Sequence, residues 1–148
     1  MENFKQTNLD DNLLKAITEM GFETPTPVQA KTIPHLLTSN VDLIATAQTG
    51  TGKTAAFGLP SIHLTDLKSR DTSTLVLCPT RELCIQIAKD LTKYSKYING
   101  LNILAVYGGS DIRGQIKALN KGVHIVIGTP GRTKDLIKRN KLKIDSIA

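Results

Sequence analysis

The chain is expected to be an α/β protein in which a parallel sheet carries helices on both faces. Four short runs are rich in Val, Ile or Leu and close in small or turn-forming residues: VDLIAT at 41–46, TLVLCPT at 74–80, NILAVYGG at 102–109 and VHIVIGTP at 123–130. The intervals 54–68, 81–97 and 111–120 are each long enough for a crossover helix, and 132–141 makes a fourth after the last run. Near-continuous apolar strands alternating with helices argue for parallel pairing, burial from both sides and right-handed crossovers.

Two helices are expected ahead of the first run. Asp10 can cap a helix over 11–20 whose Leu13, Leu14, Ile17 and Met20 recur at helical spacing, and Gly21 can end it in the left-handed conformation. The second begins after Thr26 with Pro27 in its first turn, where a missing N–H costs little, and carries Val28, Ile33, Leu36 and Leu37. Pro34 is expected to weaken or kink it. The stretch 71–73 reads as a polar loop rather than a domain boundary, and no internal repeat or low-complexity tract interrupts the pattern.

At 148 residues one domain is expected, since chains of this size bury ~68–70% of the surface they expose when unfolded. No apolar tract approaches the ~20 residues of a membrane span, and the opening MENFKQTNLDD has no apolar signal core, so the chain reads as soluble and cytoplasmic, with no membrane partner. Nineteen Lys and Arg against thirteen Asp and Glu leave a net +6, which suits a polyanionic partner as well as a plain solvated surface. Cys78 and Cys84 have no second pair and no suitably spaced histidine; they read as core thiols rather than a zinc site or disulfide framework.

AQTGTGKT at 47–54 joins the first apolar run to the first crossover helix. A Gly-rich turn leading into a helix beyond the end of a parallel strand points several N–H groups at one spot and attracts anions. Gly50 and Gly52 let the backbone curl around phosphate oxygens, Lys53 places a charge near the outer phosphates, and the Thr54 hydroxyl can coordinate Mg²⁺. Ala47 stands where the strict pattern has Gly. Hydrolysis also needs an acid that holds the metal, normally at the end of a neighbouring strand, and none of the four runs ends in Asp or Glu. Asp145 follows no buried strand, Asp10 and Asp11 start a helix, and Glu82 and Asp135 fall inside helices. The phosphate cradle is expected; the cutting apparatus is not.

Four blocks, in order and at plausible spacing, resemble the DEAD-box RNA helicases: GFETPTPVQ at 21–29, AQTGTGKT at 47–54, PTREL at 79–83 and TPGR at 129–132, with Gly108 and Gly109 matching a glycine doublet between the last two. The resemblance covers nearly the whole chain and accommodates Ala47. It implies a RecA-like P-loop domain, incomplete at its C-terminus: residues 1–40 as a helical segment with the adenine-reading Q motif, and 41–148 as part of the first RecA-like ATP- and RNA-binding domain. The Asp-Glu-Ala-Asp block, the Ser-Ala-Thr block and the second RecA-like domain are not in the chain. A core lacking the acidic strand is expected to be less stable or more self-associating.

The same resemblance implies a nucleotide site built from Phe22, Thr24, Thr26, Gln29 and the loop Ala47, Gln48, Thr49, Gly50, Thr51, Gly52, Lys53 and Thr54, with ATP and Mg²⁺ as cofactors. Gln29 can give one hydrogen bond to adenine and take one, a discrimination of ~1–3 kcal/mol over guanine when bidentate. Phe22 is implied to stack on the base, and Thr26 to tie the segment to the phosphate loop. Phe4 matches the family's isolated upstream aromatic. A solvated helical glutamine and a Phe stapled to the core are the plainer alternatives. For RNA the implied residues are Pro79, Thr80, Arg81, Gly108, Gly109, Thr129, Gly131 and Arg132, gripping phosphates with helix N–H groups and Arg on the same sheet edge as the phosphate loop. Against this stand an internal pairing of Arg81 with Glu82 and a plain surface cation at Arg132. Only six aromatics are present, with no stacking platform, so backbone gripping that weakens with salt is expected. The basic run 132–143 reads foremost as a solvated face.

The whole enzyme is implied to close its two domains on ATP and RNA and so separate short duplexes; this chain alone is expected not to hydrolyse ATP. The alternatives are a nucleotide- or RNA-binding module without turnover, and a GTPase or small-molecule kinase sharing the loop. For the last, NKGV at 120–123 lacks the Asp of a guanine-reading motif.

Overall fold

Three strands run parallel in the order β1-β3-β2: β1 (Thr74–Leu77), β2 (Ile103–Val106) and β3 (Ile125–Gly128). The structure, a computed structural model, describes residues 1–148. Leu77 and Val106 both align with Gly128, so the three strands end level and the segments after them emerge on one edge. In β3, Ile125 and Ile127 face opposite to Val126, and all three are fully buried, as expected for a central strand covered from both sides.

Six helices accompany the sheet: α1 (Asp11–Glu19), α2 (Pro27–Thr38), α3 (Lys53–His63), α4 (Arg81–Tyr94), α5 (Ile112–Lys121) and α6 (Pro130–Lys138), after a 3₁₀ turn at Phe4–Thr7. Their starts follow the expected caps. Asp10 accepts from Asn12 N at 2.8 Å, and Thr26 caps α2. Gly21 is left-handed, and Phe22 N donates back to Ile17 O at 2.9 Å, closing α1. Pro34 lies inside α2, which continues past it to Thr38.

The expected strand at 41–46 does not form. This segment has no place in the sheet; Val41 is bonded only locally, its N–H to Ser39 Oγ at 3.1 Å and its carbonyl to the His35 ring at 3.2 Å. Ile44 is 93% exposed and Val41 69%. An apolar run expresses a tendency to be buried, but a strand exists only where a neighbour completes the ladder, and no other segment of the chain pairs with this one.

The chain divides into two compact units, Met1–Leu64 with Lys93–Asn99, and Thr65–Thr92 with Gly100–Ala148. In the first, α2 packs on α3, and Leu13, Ile17, Ile33 and Leu59 are fully buried. Glu19 at the end of α1 accepts from Lys96 Nζ at 3.0 Å and from the Tyr97 hydroxyl. Those bonds, the Tyr97 one foremost, hold its carboxyl below the usual range. In the second unit Val106, Val123, Val126, Leu136 and Leu142 form a core joined by Leu104, Ile112 and Ile116. His124, 3% exposed, ties down the start of the sheet: Nδ1 accepts from Asn102 N at 3.0 Å, which leaves Nε2 as the donor to Ser69 O at 2.8 Å.

Candidate functional site

In the first unit the phosphate-loop residues sit at the start of α3. Gly50 and Gly52 are both left-handed, with φ of 82° and 83°. No side chain caps α3, whereas Asp10, Thr26, Thr80 and Asp111 cap α1, α2, α4 and α5. The first N–H groups of α3 are therefore open to an anion. Lys53 is exposed and Thr54 half-buried; of the preceding residues Ala47 and Thr51 are half-buried, and Gln48 and Thr49 exposed.

The α2 start is built onto that loop. Thr26 and Gln29 form a reciprocal cap, with Gln29 N donating to Thr26 Oγ1 at 3.4 Å and Thr26 N to Gln29 Oε1 at 3.0 Å. Gln29 Nε2 then donates to Gly52 O at 3.1 Å, so the bond reaching the loop is Gln29's; Thr26 Oγ1 lies 3.3 Å from where a Cβ on Gly52 would be. That same Cβ would overlap Gln29 Nε2. Gln29 is 3% exposed, which removes the solvated-glutamine alternative. A carboxamide has two N–H groups and two lone pairs on oxygen, so these two bonds leave one of each uncommitted. Phe22 is half-buried in an aromatic row, 5.9 Å from the Phe4 ring and 6.0 Å from Tyr94. Thr24 is exposed.

In the second unit the level strand ends bring three blocks together. Pro79-Thr80-Arg81 follows β1, Gly108-Gly109 follows β2, and Thr129 to Arg132 follows β3 between them. Thr80 Oγ1 takes the Leu83 N–H at 3.2 Å, so α4 is capped internally, while α6 opens on Thr129 and Pro130 with no side-chain cap. Arg81 makes no ion pair with Glu82; its guanidinium lies over the Tyr107 ring, 4.9 Å from the centroid. Arg132 is no free surface cation either: Nη1 donates to Gln115 Oε1 at 2.9 Å and Nη2 to Ser110 O at 3.1 Å. A Cβ at Gly108 or Gly131 would meet nothing within 4 Å. Gln115 and Tyr107 were not singled out from the sequence; neither lies in a recognised block, and only the sheet order brings Gln115 to Arg132.

Cys78 and Cys84 are buried free thiols with sulfurs 2.9 Å apart, as the core-thiol reading expected. Burial first, and then the Cys78 hydrogen bond, pushes the Cys84 thiol up to about 12. No helix is long and apolar enough to cross a membrane.

A three-stranded parallel sheet accompanied by helices defines a RecA-like α/β protein. The family model described as DEAD/DEAH box helicase matches residues 26–147, and the chain belongs to that family. It is 52% identical over 147 residues to the ATP-dependent RNA helicase CshA of Listeria monocytogenes, covering 99% of this chain and 28% of that protein. It is 45% identical to the ATP-dependent RNA helicase DeaD of Klebsiella pneumoniae, covering 98% and 22%. A crystal structure of a DEAD box protein from Methanococcus jannaschii superposes with a TM-score of 0.93 at 44% identity, over 99% of this chain and 40% of that one. S. cerevisiae Dbp5 bound to RNA and ADP BeF3 gives 0.89 at 29%, over 99% and 37%. The chain thus spans under a third of the curated relatives' length.

Proposed function

We propose that this chain is the ATP-binding and RNA-gripping part of a cytoplasmic ATP-dependent RNA helicase that, with a second RecA-like domain, closes on both ligands and separates short duplexes. The observation that carries the reading is the Gln29 to Gly52 bond beside the uncapped start of α3, because it holds an adenine-type hydrogen-bonding group against an anion-binding turn. Residues 1–40 supply the base-reading part through Gln29, Phe22, Thr24 and Thr26; residues 41–148 supply the phosphate loop and the RNA blocks. The open N–H groups of α3 and the Lys53 ammonium fit the phosphates of ATP. Thr54 fits one position on Mg²⁺, which usually keeps several waters and takes only one or two protein ligands beside substrate phosphates. When bound, the metal would neutralise phosphate charge.

For RNA, the open start of α6, the approachable backbone at Gly108 and Gly131, and the remaining N–H groups of Arg81 and Arg132 support binding through phosphates without base reading. Hydrolysis needs an acid these residues do not include, so the chain alone binds without turnover. The test is titration with ATP, GTP and single-stranded RNA, with and without Mg²⁺, alongside a phosphate-release assay. ATP should bind more tightly than GTP, with little gain from metal, and RNA affinity should fall as salt rises. GTP bound as tightly as ATP would refute the adenine reading, and RNA-stimulated ATP turnover would refute the missing-acid argument.

A further inference from the structure

We infer that Gln115, outside every block named above, is a positioning residue that sets the two RNA-gripping arginines, Arg81 and Arg132, as one unit; this rests on the RNA-gripping reading of the second unit. Gln115 is on α5 and only 7% exposed, yet its carboxamide is spent on the strand-end turns rather than on its own helix. Oε1 accepts from Arg132 Nη1 at 2.9 Å, and Nε2 donates to Tyr107 O at 3.2 Å. Arg132 reaches on to Ser110 O, closing a ring of bonds around the turn that carries Gly108 and Gly109. The Tyr107 ring in turn supports the Arg81 guanidinium. Gln115 therefore joins the blocks after β2 and β3 directly, and the Tyr107 ring carries the link on to Arg81 after β1.

The geometry says why a carboxamide is needed. Its two ends meet a donor and an acceptor at once, so a carboxylate would set oxygen against the Tyr107 carbonyl and an amine would set N–H against Arg132. A guanidinium has five N–H groups; with two tied inward, three remain in a fixed plane for a phosphate oxygen. Without Gln115 the Arg132 guanidinium loses one of its two inward bonds and with it its fixed direction, so its contact with a phosphate is lost rather than merely delayed.

The test uses this chain and a single-stranded oligouridine. Gln115→Met keeps volume without hydrogen bonds, and Gln115→Asn, one methylene shorter, keeps a carboxamide that cannot reach both partners. Affinity is measured across a salt series, with melting temperature and ATP-analogue affinity in parallel. Either variant should weaken RNA binding about tenfold and flatten the salt slope by about one unit. ATP-analogue affinity should stay unchanged, and the loss combined with Arg132→Met should be smaller than the sum of the two. A purely structural role predicts lower melting temperature, an unchanged salt slope and additive losses, and that result would overturn the inference. Wild-type chain that binds no oligouridine would instead remove the RNA-gripping reading on which it rests.

Discussion

In the first unit the 47–54 loop meets two helix ends, through the Thr26–Gln29 cap, the Gln29 to Gly52 bond and the start of α3. In the second unit the three blocks are held by a paired sheet whose strands end level, with Gln115 and Arg132 bridging the turns. The first arrangement forms although the apolar run leading into it, 41–46, pairs with nothing. Capping geometry is local and needs only a few residues, whereas strand ends acquire a common edge only through ladder partners distant in sequence. The 47–54 loop thus rests on capping bonds, and the second surface is a product of the ladder.

Four changes sharpen or break that contrast. Gly52→Ala should have the largest effect, about 2–4 kcal/mol, because it combines left-handed strain with loss of the Gln29 bond. Thermal unfolding and ATP-analogue titration should both register it, while oligouridine affinity in the folded fraction stays put; a parallel loss of RNA binding would deny the two units their independence.

His124→Phe should come next, at about 2 kcal/mol, since it leaves Asn102 N–H and Ser69 C=O without their ring partner at the entry to the sheet. Urea unfolding followed from the second unit should show the loss, with nucleotide binding retained by folded protein.

A smaller effect appears only in alkali. Cys84 is raised from 9.0 to about 12 in the folded chain, so its contribution is complete below about pH 9 and lost as pH climbs toward 12. Cys84→Ala should flatten the decline, as read from unfolding curves at successive pH values. An identical decline in both proteins would place the thiol outside the linkage.

The smallest stability change, within about 0.5 kcal/mol, is expected for Gly108→Ala, whose Cβ would enter open space. Its melting temperature should match wild type while oligouridine binding weakens, because a methyl group would stand where the proposed RNA path needs bare backbone.

Much of the fold could be read from local signals. Asp10 and Thr26-Pro27 marked two helix starts, and three of four apolar runs became strands. The fourth, 41–46, stays out of the sheet, because Val, Leu and Ile report a tendency to be buried without naming the neighbour. The blocks themselves were legible; how their side chains are employed was less so. Thr26 and Gln29 have the spacing of a reciprocal cap, a signal available in the sequence but passed over in favour of base reading. Nothing local pairs Gln115 with Arg132, seventeen residues apart, because that meeting depends on β3 lying next to β2.

The bare ribbon at 41–46 also bears on handling. Val41, Leu43 and Ile44 stand in water with Asp42 as the one charge among them, which leaves a short template onto which other copies can stack by main-chain pairing. Precipitation on storage should start there, and Ile44→Lys should slow it, as read by turbidity over time.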